Sequence, residues 1–171
     1  MGLLLVIWLG EVVLEARNKA SERETITRRV RLREHPPRTL THITPSEIYL
    51  RYSSFSLQRK PYRFEVDGNG FIVAEGSYHD PEAEVKVAFL GGSSTECVFV
   101  EEYSRFPERL KTLFKKDSLK INVYNSGRSG NNSLHSMNIL INKILPLRPD
   151  VVVMMHNIND LNLLLYERSY W

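Results

Sequence analysis

Three short apolar runs constrain this chain most: Val85-Lys-Val-Ala-Phe-Leu90, Ile121-Asn-Val-Tyr124 and Asp150-Val-Val-Val-Met-Met155. Each has the length of a strand and is bounded by turn residues, and two segments of helical periodicity separate them. In the first of these, Phe106, Leu110, Leu113 and Phe114 share a face, Pro107 suits a first turn and Asp117-Ser118 a stop. The second runs from Ser133 to Ile144, with Leu134, Met137, Ile141 and Ile144 or Leu145 expected to point inward and Pro146 just beyond. Strand, helix, strand, helix, strand predicts an α/β fold with a parallel sheet and right-handed crossovers. Buried parallel strands read as near-continuous apolar runs, as these do.

The chain ahead of this pattern is more varied. Gly2 to Gly10 is strongly apolar and Val12, Val13 and Leu14 extend it, but Glu11 interrupts. The run falls short of the ~20 residues a spanning helix needs. It reads as the end of a clipped membrane anchor, ahead of an interfacial helix or a core helix, and the side of the membrane stays open. A polar stretch follows to about Thr41, closing at His35-Pro36-Pro37. Its basic residues Arg28, Arg29, Arg31 and Arg33 are interrupted by glutamates, the pattern of a solvated segment. Thr44-Pro45-Ser46-Glu47 reads as a capping box before a short helix. Phe64-Glu-Val66 and Phe71-Ile-Val73 flank Asp67-Gly-Asn-Gly70, a hairpin signal expected ahead of the main sheet. The expected organisation is an apolar segment at 1–16, a polar linker with a short helix at 17–60, a hairpin lead-in at 61–84, and an α/β unit over 85–171.

With 171 residues, 42% hydrophobic and 25% charged, the chain can bury a real core, and its net charge of +3 is too small to argue for nucleic acid. No aromatic residues interleave the basic ones to stack bases. Cys97 is the sole cysteine, so neither an internal disulfide nor a cysteine zinc site is available. Phosphate binding at the glycine turn fails on residue types, because no GK[ST] or GxGxxG arrangement follows that strand. Neither a metal nor an organic cofactor is implied.

The chemistry lies in the loops after the three strands, which a parallel sheet gathers on one edge. The first carries Gly91-Gly92-Ser93, where paired glycines permit a sharp turn and Ser93 opens a helical turn. Alone, Ser93, Ser94 and Thr95 could do no more than cap a helix. The second loop, Asn125 to Asn131, offers the Gly130 N–H, and the third, His156 to Asp160, offers the Asn159 carboxamide. A hydroxyl nucleophile with convergent N–H donors is what acyl transfer needs.

In this order, GGSSTE, NSGRSG and NIND resemble the first three blocks of the SGNH/GDSL hydrolase superfamily, in its lipase/acylhydrolase-like GGS variant. The resemblance spans Val85 to about Leu165. It implies a flavodoxin-like three-layer α/β/α fold, Ser93 as nucleophile and oxyanion donor, Gly130 and Asn159 as further oxyanion donors, and Gly92 and Asp160 in support. Asn157 departs from the pattern, standing where glycine is usual. Small-molecule or glycan esters are the implied substrates, by an esterase, acylhydrolase or deacetylase reaction.

The family's fourth block, an Asp-x-x-His supplying the base, is missing: none of His35, His42, His79, His135 and His156 follows an aspartate by three residues. His156 could reach the cleft but is more simply a histidine bonded in place. The expectation is the amino-terminal part of such a hydrolase, with a sheet incomplete at its carboxyl end and little activity of its own. The alternative is a membrane-associated scaffold kept for binding.

Overall fold

The structure, a computed structural model, describes residues 30–53, 56–116 and 118–170. The apolar segment at 1–16 lies outside them; among the described residues no helix is long and apolar enough to cross a membrane. The chain from Leu32 onward forms a compact unit.

Its six strands are β1 (Leu40–Ile43), β2 (Tyr62–Val66), β3 (Ile72–Val73), β4 (Val85–Gly91), β5 (Ile121–Asn125) and β6 (Val151–Met155). Among the described residues five α-helical segments accompany them: α1 (Glu47–Tyr52), α2 (Ser93–Glu96), α3 (Phe106–Lys116), α4 (Ser133–Ile139) and α5 (Ile158–Asn162). The strands belong to one sheet of order β1-β2-β3-β5-β4-β6. The three expected strands are its parallel part: β4 is central, with Val87 opposite Val123 of β5 and Val151 of β6. Side chains along β4 alternate between two cores, as the period of two requires. Ala88 and Leu90 pack with Tyr124, Ile139 and Ile144 on one face, and Val87 and Phe89 pack with Ile121, Val123, Leu110 and Phe114 on the other. Helices cover both faces, and the chain order reverses at β4, the switch point where open α/β sheets bind ligands.

The sheet is mixed rather than parallel throughout. The hairpin does not stand ahead of it; β3 extends it through an antiparallel pairing of Ile72 with Asn125. The Asp67 carboxylate builds the turn by accepting the N–H groups of Asn69 at 2.9 Å and Phe71 at 2.8 Å. His79 ties it down, facing Asp67 at 3.3 Å while its ring stacks on Tyr124 at a centroid distance of 4.3 Å.

Three local expectations are corrected. The stretch read as polar linker supplies a sixth strand, β1, and puts Leu32 into the core. The capping box before α1 does not form: its N-cap is Ser46, whose side chain makes no capping bond. The second long helix is α only over Ser133–Ile139, continues as a π-turn over Leu140–Ile144 and ends in a 3₁₀ turn. Its buried face is Ser136, Ile139, Lys143 and Ile144, whereas Met137, Ile141 and Leu145 are exposed. The polar members of that face have partners that the apolar stripe lacks: Ser136 meets His156 at 2.7 Å, and Lys143 meets Glu34 at 2.8 Å and the Gly70 carbonyl at 2.9 Å.

Candidate functional site

At the carboxyl end of β4 the chain turns through Gly91 and Gly92 into α2. Both glycines are needed for room, not for positive φ. A Cβ on Gly91 would lie 2.7 Å from the Met155 carbonyl oxygen, and one on Gly92 would lie 2.6 Å from Asn159 Nδ2. Ser93 is exposed at the first position of α2, where a helical N–H has no acceptor within its own helix. Its hydroxyl has no hydrogen-bond partner among the described residues. Arg105, only 2% exposed, braces the far end of this turn by donating to the Cys97 carbonyl at 3.2 Å and to the Arg63 carbonyl of β2 at 2.6 Å. Cys97 caps α2 in the left-handed region, with φ of 53°.

The loop after β5 is stitched to this turn. Ser126 donates to the Phe89 carbonyl at 2.9 Å, and Arg128 to the Gly91 carbonyl at 3.1 Å. Glu96, at the end of α2 and 4% exposed, accepts the Ser129 N–H at 2.9 Å as well as the Ser129 hydroxyl. His35 pairs with the same carboxylate at 2.8 Å. Burial pushes the Glu96 carboxyl up, but these hydrogen bonds outweigh it and hold the group below the ordinary glutamate range. Gly130 takes φ of +77°, a conformation that a side chain strains.

The loop after β6 completes the edge. Asn159 Nδ2 donates to the Asn131 carbonyl at 2.7 Å, so a carboxamide, the Gly92 backbone and the Gly130–Asn131 loop meet at one point. Asp160 turns away, accepting the Ser133 N–H at 3.0 Å and the Tyr170 hydroxyl at 2.9 Å. Its carboxyl is lowered: burial raises it, and the bonds from Ser133 and Tyr170 more than offset that. Asn157 has φ of −163°, outside the left-handed region that favours glycine.

Gly92, Ser93, Met155, His156 and Asn159 line a cleft of about 330 Å³. Neither Gly130 nor Asn131 lines it; that loop touches the lining through the Asn131 carbonyl, which accepts from Asn159. A larger hollow of about 540 Å³, lined by Glu75, Tyr103, Lys111 and Lys120 among others, receives none of the three loops. Sequence reasoning missed the lining role of Met154 and Met155, which belong to a run whose only visible signal was apolarity. It also missed the 32–35 segment. There Arg33 donates to the Ser129 carbonyl at 3.2 Å and to that of Gly130, and Asn131 donates back to the Arg33 carbonyl at 3.1 Å.

His156 is held from two sides. Its Nε2 is 2.7 Å from Ser136 Oγ, and its Nδ1 lies 3.7 Å from Asp160. Burial pushes its pKa down, and Asp160 only partly opposes this. His135 is likewise structural, completing a reciprocal cap with Asn132 at the start of α4. Among the described residues no group of three His, Cys, Asp or Glu side chains is placed to hold a metal ion.

About half of this chain is similar to parts of solved structures. A protein described as a GDSL-like lipase from Parabacteroides merdae shares 23% identity over 53% of this chain and 47% of its own, at a TM-score of 0.41. An acetyl xylan esterase from Geobacillus stearothermophilus shares 22% identity over 52% of this chain and 45% of its own, at a TM-score of 0.40. AlinE4, an SGNH-hydrolase family esterase, shares 17% over 48% and 44%, at 0.39. The chain spans about half the length of the solved structures it matches. No protein-family model matches it, and no curated protein does.

Proposed function

We propose that this chain carries the nucleophile half of an SGNH-type ester hydrolase. In this reading the Ser93 hydroxyl attacks the carbonyl of a small-molecule or glycan ester, and an acyl-serine forms as the alcohol leaves. The oxyanion is met by the Ser93 N–H and Asn159 Nδ2 at the cleft, with the Gly130 N–H, from the loop beside the cleft lining, as the third donor. The observation that carries the reading is the Asn159 amide seated against Gly92, one residue from an exposed, unbonded serine hydroxyl. Each such donor lowers the barrier by about 3 kcal/mol where it is aimed at the developing charge.

The Ser93 hydroxyl has no base bonded to it among the described residues, and the Nε2 of His156 is engaged by Ser136. A serine without a base is a poor nucleophile. Turnover by the 171-residue polypeptide is therefore slow. The same observation favours a second reading, a scaffold that binds ester-bearing ligands without cleaving them. Release of 4-nitrophenol from its acetyl and butyryl esters separates the two. Slow turnover above the solvent background that disappears in S93A supports the hydrolase. Equal rates for S93A and the parent reject it.

A further inference from the structure

Of the four backbone polar groups of Ser129 and Gly130, three are held. The Ser129 N–H is held by Glu96 at 2.9 Å, the Ser129 carbonyl by Arg33 Nη2 at 3.2 Å, and the Gly130 carbonyl by Arg33 Nη1. The Gly130 N–H alone has no partner among the described residues. The missing side chain of Gly130 makes the grip possible, because a Cβ there would stand 2.8 Å from Arg33 Nη2. Arg33 arrives from far along the chain, on a segment fastened by Leu32 in the core, His35 on Glu96 and Arg128 on the Glu34 carbonyl.

From this geometry we infer that Arg33 is a positioning residue that orients and polarises the Gly130 N–H. The inference rests on the ester-hydrolase reading for its catalytic consequence. A trans peptide points its C=O and N–H in opposite directions. A cation bonded to the Ser129 carbonyl therefore directs the Gly130 N–H away from itself. It also draws electron density toward the oxygen, and so strengthens the N–H as a donor through the same amide. Guanidinium suits the task because its fixed fork spans two neighbouring carbonyls, which an ammonium cannot do with the same geometry. Glu96 holds the preceding N–H from the nucleophile's own helix, so the donor and Ser93 are set relative to one another by two side chains.

Two readouts on the full chain test this, one of them independent of any hydrolysis. The first is the amide ¹⁵N shift of Gly130. Loss of a hydrogen bond to the preceding carbonyl moves it upfield, so R33Q is expected to shift Gly130 upfield by more than any residue outside 126–131, and R33K by less. The second is the rate at which a fluorophosphonate labels Ser93. R33Q is expected to label about tenfold more slowly, the effect of one charge-assisted hydrogen bond, with R33K within about threefold of the parent. R33Q labelling at the parent rate, or an unmoved Gly130 amide, overturns the inference. If R33Q does not fold, R33K decides through the Gly130 amide, and an unmoved ¹⁵N shift in it overturns the inference. A parent that takes no label sinks the ester-hydrolase reading instead and leaves the amide shift to decide the role of Arg33.

Discussion

Asn159 Nδ2 lies 2.7 Å from the Asn131 carbonyl oxygen and would be 2.6 Å from a Cβ on Gly92. The carboxamide is thus wedged between two loops, with one N–H committed to Asn131 and the other without an acceptor among the described residues. Substituting Asn159 by alanine removes both. Fluorophosphonate labelling of Ser93 is expected to fall by 10²–10³-fold, the range for loss of one oxyanion donor. Asn159→Asp is expected to do no better, since a carboxylate repels developing negative charge.

Gly92→Ala tests the same wedge from the other side. The added methyl meets the Asn159 amide rather than a flexible chain end. Labelling is expected to drop and thermal stability to fall together. Gly130→Ala is expected to cost stability by about 1–2 kcal/mol for the left-handed backbone alone, with further cost from the Arg33 guanidinium in its path. Chemical denaturation measures both.

His156 is expected to matter for stability more than for reactivity. Its Nε2 sits on the buried Ser136 hydroxyl. Ser136→Ala leaves a part-buried ring nitrogen unpaired and is expected to cost about 1 kcal/mol. His156→Asn is expected to leave the Ser93 labelling rate within about threefold of the parent, against the several powers of ten that loss of a catalytic base removes.

Acid should destabilise the fold through three carboxylates, two at the site and one at the β2–β3 turn. The carboxyls of Glu96, Asp67 and Asp160 all lie below their ordinary values in the folded chain, burial raising each and hydrogen bonds more than compensating. The unfolded chain therefore binds more protons between the two sets of values. The stability they contribute is complete above the ordinary carboxylate range and is lost as pH falls through the lowered folded values. Glu96→Gln is expected to be less stable at neutral pH and to show a shallower acid limb. Equilibrium unfolding from pH 7 to pH 2 reads both.

Much of the site was legible because glycines, a serine and an asparagine stood directly after apolar runs, and a parallel sheet brings such positions to one edge. Helix α3 was legible for the same local reason, with Leu110 and Phe114 meeting the core, although Leu113 is exposed. The face of α4 was not. Its apolar residues Met137 and Ile141 are periodic yet exposed, and Ser136 and Lys143 are buried because distant groups, His156, Glu34 and Gly70, satisfy them. Pairings of that kind join positions up to 109 residues apart and leave no periodic trace. Arg33 was hidden likewise, since a lone arginine in a charged stretch reads as solvated until the loop it grips is known.

The central claim is that Ser93 is a nucleophile served by donors from two other loops. Intact-mass spectrometry of the chain with excess fluorophosphonate, followed over hours, tests it most directly. The account predicts a single adduct, mapped to Ser93, forming slowly in the parent, more slowly in N159A and not at all in S93A. A parent that gains no adduct, or an N159A variant that labels as fast as the parent, would contradict it.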